Sequence, residues 1–144
     1  MILIGAGTGV SPFLGFLDHV TSHVTLITGN RHRELDSIYE REFGEHFTAE
    51  QEGRNWYRAF SRDEGSKWRY VQDVVRDKGE ELVNGIVDEG AAVYVCGDAK
   101  GLGVGVWEAF VEVVGKWTGR SKEKSEGYMK ELRTSKRYCE DIWS

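Results

Sequence analysis

A glycine-rich turn near the N-terminus has the residue types that bind phosphate groups. Gly5, Gly7 and Gly9 follow the short apolar run at residues 1–4, and Pro12 comes three residues later. Glycines between a strand and a helix let backbone N–H groups approach a phosphate, and a helix N-terminus favours negative charge. The turn lacks the Gly-Lys-Ser/Thr of a P-loop and the third glycine of a dinucleotide fingerprint. It therefore predicts either a phosphate-binding turn or a plain tight turn.

A second group of residues has the chemistry of a clamp for a phosphate monoester. Ser61 and Arg62 follow a predicted strand and place a hydroxyl beside a guanidinium, whose hydrogen bonds to phosphate are strong and directional. In a nucleotide, that group would be a 2′-phosphate. Lys67 and Arg69 add positive charge to a chain whose formal net charge is −5. The alternative interpretation is an ordinary solvated loop.

An aromatic and an amide side chain come directly after this positive segment, as Tyr70 and Gln72. A tyrosine beside a phosphate site can stack on a purine, and the glutamine amide can hydrogen-bond the ring or the ribose. Alternatively, Tyr70 begins the buried face of a helix. Both interpretations stay open at this point.

Two further side chains, a thiol and an indole, also allow two interpretations each. Cys96 ends an apolar strand predicted at residues 91–96, with Gly97 and Asp98 after it. A free cysteine is most often a small core residue, whereas at a ligand crevice the thiol would contact a nicotinamide ring. Trp143 lies next to the C-terminus and has a large apolar surface to bury. It would either dock into the core of this domain or stack on a flat partner surface.

The pattern of apolar residues predicts alternating strands and helices around these motifs. Strands are predicted at residues 1–4, 23–28, 56–60 and 91–96, with an extended segment at 138–143. Helices are predicted from an N-cap at Ser11 to Val20 and at residues 34–47, 70–77, 80–89, 104–117 and 122–136. The repeated strand–helix–strand order predicts an α/β fold, with a mostly parallel sheet and helices on both faces. Ligands of such sheets bind at the carboxyl ends of the strands.

The composition is that of a single globular domain spanning residues 1–144, with 40% apolar and 30% charged residues. Its net negative charge argues against broad nucleic-acid binding. No apolar run approaches the ~20 residues needed to span a bilayer, and the N-terminus lacks the basic segment of a signal peptide. Two cysteines, and histidines without metal-ligand spacing, predict no metal site and a reducing, cytoplasmic compartment.

Taken in order, these motifs resemble the NADPH-binding domain of the diflavin reductases, in the ferredoxin–NADP reductase superfamily. The resemblance covers residues 4–144 and rests on six segments, at 7–13, 29–31, 60–63, 70–72, 94–100 and 137–144. Within the family, the chain looks closest to the methionine synthase reductases, with the microsomal NADPH–cytochrome reductases as the next candidates. It departs from the family pattern at Ala6, where proline is usual, at Asn30, where cysteine is common, and at Arg69, where lysine is usual.

The resemblance implies how this chain would bind NADPH. Ser61 and Arg62 would bind the 2′-phosphate and so select NADPH over NADH, with Lys67 or Arg69 as a second phosphate ligand. Tyr70 would pack on the adenosine. The full set of implied cofactor-binding residues is Gly7, Thr8, Gly9, Arg31, Ser61, Arg62, Lys67, Arg69, Tyr70, Gln72, Gly97 and Asp98.

The resemblance also implies a catalytic group. Cys96 and Asp141 would line the hydride-transfer site, where they would orient the nicotinamide and stabilise its developing charge. Trp143 would stack on the ring of FAD and move aside when the nicotinamide enters. These three residues are the catalytic residues that the resemblance assigns to this chain.

In the family, an FMN domain and an FAD-binding barrel precede the segment that this chain resembles. We therefore expect FAD to be held by an FAD-binding domain, in cis or in trans, with FMN carrying electrons to an acceptor such as methionine synthase. The chain would then be a fragment, a truncated product or half of a split enzyme, and alone it would bind NADPH without oxidising it. A non-catalytic nucleotide-binding module and a poorly folding relic are the alternatives.

Overall fold

A five-stranded parallel sheet lies at the centre of the computed structural model, which describes residues 1–20 and 22–143. The strands are β1 (Ile2–Ala6), β2 (Val24–Asn30), β3 (Arg54–Phe60), β4 (Val93–Asp98) and β5 (Tyr138–Trp143), in the order β3-β2-β1-β4-β5. The helices are α1 (Ser11–His19), α2 (Glu40–His46), α3 (Val71–Asp77), α4 (Gly79–Asp88), α5 (Val104–Thr118) and α6 (Lys122–Thr134). A 3₁₀ turn at Gly7–Val10 precedes α1, and a π turn at Ala99–Gly103 precedes α5. No helix within the described ranges is both long and apolar enough to cross a membrane.

Alternate side chains of the strands face two separate apolar cores, one on each side of the sheet. In β1, Ile2 and Ile4 pack in the core that α3, α4, α5 and α6 cover, whereas Leu3 packs with Phe13 and Leu17 of α1. Successive strand residues point to opposite faces, and parallel sheets are covered by helices on both sides. The predicted α/β class, with a parallel sheet between two layers of helices, is therefore confirmed.

The order of the strands places a change of chain direction between β1 and β4. After β1 the sheet grows outwards through β2 to β3, and after β4 it grows the other way to β5. The helices that follow the two central strands, α1 and α5, belong to opposite cores. The turns before these helices therefore separate at the carboxyl ends of β1 and β4, and such a switch point is the usual ligand crevice of an open α/β sheet.

The helix predicted at residues 34–47 is wrong in its first half, because α2 begins only at Glu40. Asp36 instead folds the chain into a turn: its carboxylate accepts hydrogen bonds from the backbone N–H groups of Arg31 at 3.1 Å and His32 at 2.7 Å. Tyr39 then adopts the left-handed conformation, with a φ of 58°. Aspartate side chains compete with helix formation in this way, by binding nearby backbone groups.

Ser11 is not the N-cap that the sequence predicted. It is the first residue of α1, and its hydroxyl donates to the carbonyl oxygen of Thr8 at 2.9 Å, so it caps none of the free N–H groups of the helix. The 3₁₀ turn leads into the helix instead, with Pro12 in the first helical turn. The other predicted boundaries agree with the structure to within two residues.

Tyr138 anchors β5 and provides a test of this packing. Its ring is 1% exposed and lies edge-on to the rings of Trp107 and Phe110, but its hydroxyl has no hydrogen-bond partner among the described residues. Removing an unpaired buried hydroxyl relieves a desolvation cost, so Tyr138→Phe should raise the free energy of unfolding by about 1 kcal/mol. Denaturant titration monitored by circular dichroism measures the change.

The matched control for this experiment is Tyr57→Phe. The Tyr57 hydroxyl donates to the carboxylate of Glu81 at 2.9 Å, so its removal should lower the free energy of unfolding by about 0.5–1.5 kcal/mol. A loss of stability in both variants would contradict the unpaired state of the Tyr138 hydroxyl.

Candidate functional site

The carboxyl ends of the strands form a cleft of about 480 Å³ at the switch point between β1 and β4, which we call the main cleft. The turns after β1, β2, β3 and β4, with the start of α3, supply its walls. The predicted nucleotide-binding residues that line it are Gly7, Arg31, Ser61, Arg69, Tyr70, Gln72 and Asp98. The predicted residues Thr8, Gly9, Arg62, Lys67 and Gly97 lie outside its lining. The sequence motifs thus converge on one edge of the sheet, though not all in one cleft.

The turn after β1 packs closely against the end of β4, and its backbone at Gly7 borders the main cleft. A Cβ atom on Gly9 would lie 2.5 Å from the carbonyl oxygen of Cys96, so a larger residue fits there only if the backbone moves. Gly7 has a φ of 54°, which favours glycine, and a Cβ atom there would meet nothing within 4 Å. The turn therefore leaves bare backbone beside open space, which is the approach that a phosphate requires.

Asp98 lies in the main cleft, but the turn after β4 uses its carboxylate. This carboxylate accepts hydrogen bonds from the backbone N–H groups of Gly101 at 2.5 Å and Leu102 at 3.4 Å. A Cβ atom on Gly101 would lie only 3.1 Å from the same carboxylate, so the turn closes tightly around it. Asp98 thus shapes a wall of the cleft, and its role as a direct ligand stays a prediction.

Ser61 and Arg62 line different clefts, which the sequence did not indicate. Two backbone bonds join the loops after β2 and β3: the Ser61 N–H donates to the Asn30 carbonyl at 3.0 Å, and the Arg62 N–H to the Arg31 carbonyl at 2.9 Å. Regular strand pairing ends at Phe60, and the chain bends at Ser61. Ser61 and Arg31 line the main cleft, whereas Arg62 lines a neighbouring cleft of about 620 Å³. The predicted hydroxyl and guanidinium are therefore adjacent in the chain but not aligned side by side.

The arginines around these two clefts lack acidic partners within residues 1–20 and 22–143. No carboxylate of this part of the chain lies within 4.0 Å of the guanidinium of Arg31, Arg62 or Arg69. Lys67, in contrast, is paired with Asp77 at 3.6 Å, which favours Arg69 over Lys67 as the second phosphate ligand. Carboxylates such as Asp36 and Asp98 also line the main cleft, but these three guanidinium groups are not paired with them and can donate to an anion.

Tyr70 presents a half-exposed ring to the main cleft, with 48% of its surface accessible. It immediately precedes α3, where its backbone N–H donates to the carboxylate of Asp73 at 2.9 Å and fixes the start of the helix. The buried face of α3 begins at Val71 instead. The Arg69 guanidinium lies 5.8 Å from the centroid of the Tyr70 ring. An exposed ring on a fixed backbone suits stacking against a flat base.

Pairing between β4 and β5 places the three predicted catalytic residues at one end of the sheet. Cys96 is in register with Asp141, and Asp98 with Trp143. Cys96 is buried in the core under α1, and burial, followed by the negative charge of Asp141, raises the pKa of its thiol. The thiol is therefore protonated at neutral pH. The structure thus supports the core interpretation of Cys96, which is buried two residues before the end of β4 and lies outside the lining of the main cleft. Its contact with a nicotinamide ring stays a prediction.

The C-terminal indole does not dock into the core of this domain. Trp143 has 48% of its surface exposed, and Asp141 is exposed as well. Ser144, which ends the same sequence motif, lies outside the described residues. Of the two interpretations of Trp143, the structure thus favours a ring that is available to a partner surface.

Two residues of the main cleft, Asn30 and Asp36, were not predicted from the sequence as part of a site. The Asn30 amide donates to the backbone carbonyl of Asp36 at 2.8 Å, and both residues line the cleft. An asparagine at the end of a strand, with an aspartate a few residues later, is a recognisable turn signal. That signal was hidden by the apparent helical pattern at residues 34–47.

Comparison with known proteins agrees with this architecture. The family model for the oxidoreductase NAD-binding domain matches residues 3–105. The chain is 32% identical to methionine synthase reductase of Homo sapiens over 160 aligned residues, which cover 100% of the chain. It is 34% identical to NADPH–cytochrome P450 reductase of Candida maltosa, and 36% identical to the sulfite reductase [NADPH] flavoprotein alpha-component of Mannheimia succiniciproducens. Each of these two alignments covers 99% of the chain.

These relatives are much longer than the chain, which spans 22–24% of their length. By name, two of the three are reductases and the third is the flavoprotein component of one, and two of the three names include NADPH. The chain therefore belongs to the oxidoreductase NAD-binding domain family, as a relative of the NADPH-binding domain of the diflavin reductases.

Proposed function

We propose that this chain is the NADPH-binding module of a diflavin reductase, and that it presents the nicotinamide to an FAD held by another domain. The observation that carries the proposal is the main cleft itself. At the switch point, Arg31 and Arg69 have no carboxylate within 4.0 Å in the described residues, and the half-exposed Tyr70 lies beside them. Guanidinium groups bind phosphate, and an exposed aromatic ring stacks on a base.

The residues around the cleft fit a dinucleotide that carries an additional phosphate. Gly7 offers backbone to the pyrophosphate, Arg31 contributes positive charge to it, and Tyr70 stacks on the adenine. Ser61 from the main cleft and Arg62 from the neighbouring cleft approach the 2′-phosphate from two sides of one loop. A ligand that lies across the edge between the two clefts meets both side chains, although neither cleft contains both.

The hydride-transfer end lies where β4 and β5 finish. When bound, NADPH supplies a hydride and the flavin accepts it. In this proposal the protonated thiol of Cys96 acts as a neutral contact for the nicotinamide, because burial raises its pKa. Asp141, in register with Cys96, places a negative charge where the ring becomes positive during transfer. Trp143 covers the flavin until the nicotinamide takes its place.

We propose an FAD-binding domain, in cis or in trans, as the direct partner, with FMN as the next carrier and methionine synthase as the acceptor protein. Support for this acceptor comes from the segments at 61–63, 96–100 and 136–144, which look closest to methionine synthase reductase. Overall identity does not separate the acceptors, since relatives with three different names match at 32–36%. We place the reaction in the cytoplasm, where the free thiols of Cys96 and Cys139 persist.

Binding of nucleotide fragments tests the phosphate site. The chain should bind 2′,5′-ADP more tightly than 5′-AMP in calorimetric titrations. Arg62→Ala removes a charge-assisted bond worth about 1.5–3 kcal/mol, so it should weaken 2′,5′-ADP about 10–100-fold and change 5′-AMP little. Arg31→Ala should weaken both ligands, because its guanidinium faces the main cleft.

The matched control for these arginine variants is Arg120→Ala. Arg120 also has no carboxylate within 4.0 Å in the described residues, but it stacks on Tyr128 and lies outside both clefts. Its replacement should leave both affinities unchanged. Equal affinity of the unaltered chain for the two ligands would rule out the proposed selection of NADPH.

Fluorescence of Trp143 tests the flavin-facing end. Because the indole is half exposed, Trp143→Phe should remove a long-wavelength component from the emission of the free chain. Adding the FAD-loaded barrel domain of a methionine synthase reductase should quench that component and start NADPH oxidation, which the chain alone should not support.

Trp117→Phe is the control for this measurement, since Trp117 is 43% exposed but belongs to the last turn of α5. The FAD-dependent quenching should persist in Trp117→Phe and disappear in Trp143→Phe. Rapid NADPH oxidation by the chain without any flavin would contradict the proposal that the hydride acceptor is an FAD held by another domain.

A further inference from the structure

The loops that follow β2 and β3 lie beside the main cleft and are bonded to each other. Beyond the ends of the strands, two backbone bonds join these loops, from the Ser61 N–H to the Asn30 carbonyl and from the Arg62 N–H to the Arg31 carbonyl. Arg31, Ser61 and Arg62 thus sit on two loops whose relative position is set outside the regular sheet. Any contact that joins these loops also sets the distance between the proposed phosphate ligands.

Two carboxylates occupy the backbone donors of the first loop. Asp36 accepts from the N–H groups of Arg31 and His32, and Asp63 accepts from the N–H of Arg33 at 2.7 Å. The N–H groups of three successive residues, 31–33, are therefore already bonded within the chain. A phosphate beside this loop has to be recognised by side chains.

Asp63 is the residue that crosses from one loop to the other. One of its carboxylate oxygens accepts from the Arg33 N–H, and the other lies 2.9 Å from Nδ1 of His32. The backbone bond from Arg33, followed by the bond from His32, lowers the pKa of this carboxyl. Asp63 is therefore ionised at neutral pH and bonds the loop of Arg62 to the loop of Arg31 at two points.

The negative charge of Asp63 should by itself weaken the binding of an anion nearby, so its place beside Arg62 calls for another explanation. Asp63 follows Arg62 in the chain and lines the same neighbouring cleft, so its negative charge makes the local electrostatic potential more negative. By simple electrostatics, removing that charge would strengthen phosphate binding. A positioning role makes the opposite prediction, which allows the two effects to be separated by sign.

We propose that Asp63 and His32 are positioning residues that hold Arg62 and Ser61 against Arg31, and thereby determine the preference for a 2′-phosphate. This inference rests on the proposed function, because it concerns the same nucleotide site. Asp63 contributes through its two bonds to the first loop, and His32 through the donor at Nδ1. Neither residue touches the nucleotide in this role.

The experiment compares Asp63→Asn with Glu64→Gln in titrations of 2′,5′-ADP and 5′-AMP. Both variants remove one negative charge from the same loop, but the carboxylate of Glu64 makes no hydrogen bond or ion pair within residues 1–20 and 22–143. Asp63→Asn should weaken 2′,5′-ADP about three- to tenfold, in line with the usual net strength of one lost hydrogen bond, and leave 5′-AMP within twofold. Glu64→Gln should leave 2′,5′-ADP unchanged or bind it slightly more tightly.

Substitutions at His32 supply a second measurement, which also decides the question if Asp63→Asn does not fold. His32→Leu removes the ring donor but keeps the bond between Asp63 and the Arg33 N–H, so it should reduce the same affinity ratio by a smaller factor. The side-chain amide of His32→Asn can donate from near the position of Nδ1, and it should restore most of the ratio. A merely structural contribution would change the melting temperature without changing this ratio.

Two results separate the failure of this inference from the failure of the proposed function. If the unaltered chain prefers 2′,5′-ADP and the ratio is the same in Asp63→Asn and Glu64→Gln, the positioning role is wrong and the nucleotide site stands. If His32→Leu and His32→Asn give equal ratios, the role of His32 is wrong. If the unaltered chain does not distinguish 2′,5′-ADP from 5′-AMP, the proposed function fails and the positioning role fails with it.

Discussion

The contact between Gly9 and the carbonyl oxygen of Cys96 is the constraint on which the rest of the site depends. Any side chain at Gly9 would overlap this oxygen, so the turn after β1 can lie directly on the end of β4. From that point α1 and α5 leave towards opposite cores, and residues of the turns that precede them line the main cleft. The same contact fixes the backbone of Cys96, whose register partner is Asp141.

The acidic residues at this edge share one arrangement. The carboxylates of Asp36, Asp63 and Asp98 all accept hydrogen bonds from backbone N–H groups of the turns that follow the strands. These groups would otherwise be the natural donors to an anion. The chain therefore uses carboxylates to fix these turns and, apart from the bare backbone at Gly7, leaves guanidinium groups such as Arg31 as the available donors. Because these guanidinium groups lie on loops, the site is sensitive to how the loops are placed.

The sequence predicted the architecture well because that depends on local pattern, and it predicted the site less well because that depends on contacts between loops. Apolar runs and glycines located all five strands. The false helix at residues 34–47 arose because Asp36 bonds backbone groups upstream of it, which a periodic pattern does not reveal. Ser61 and Arg62 line different clefts because the chain bends directly after β3, and the apolar pattern of the strand does not reveal this bend. The bond between His32 and Asp63 joins residues far apart in the chain, so no local signal marks it.

The edge strand connects the stability of the fold to its chemistry. Tyr138 is buried at one end of β5 and Trp143 is half exposed at the other, so a single strand carries both an anchor and a free aromatic surface. Because side chains alternate in register with β4, an anchored Tyr138 also fixes Asp141 beside Cys96 and Trp143 beside Asp98. A one-residue shift in the pairing of β5 with β4 would turn Tyr138 out of the core and would also move Asp141 and Trp143 away from their register partners. The burial of Tyr138 thus helps to hold Asp141 and Trp143, three and five residues further along β5, in the proposed hydride-transfer site.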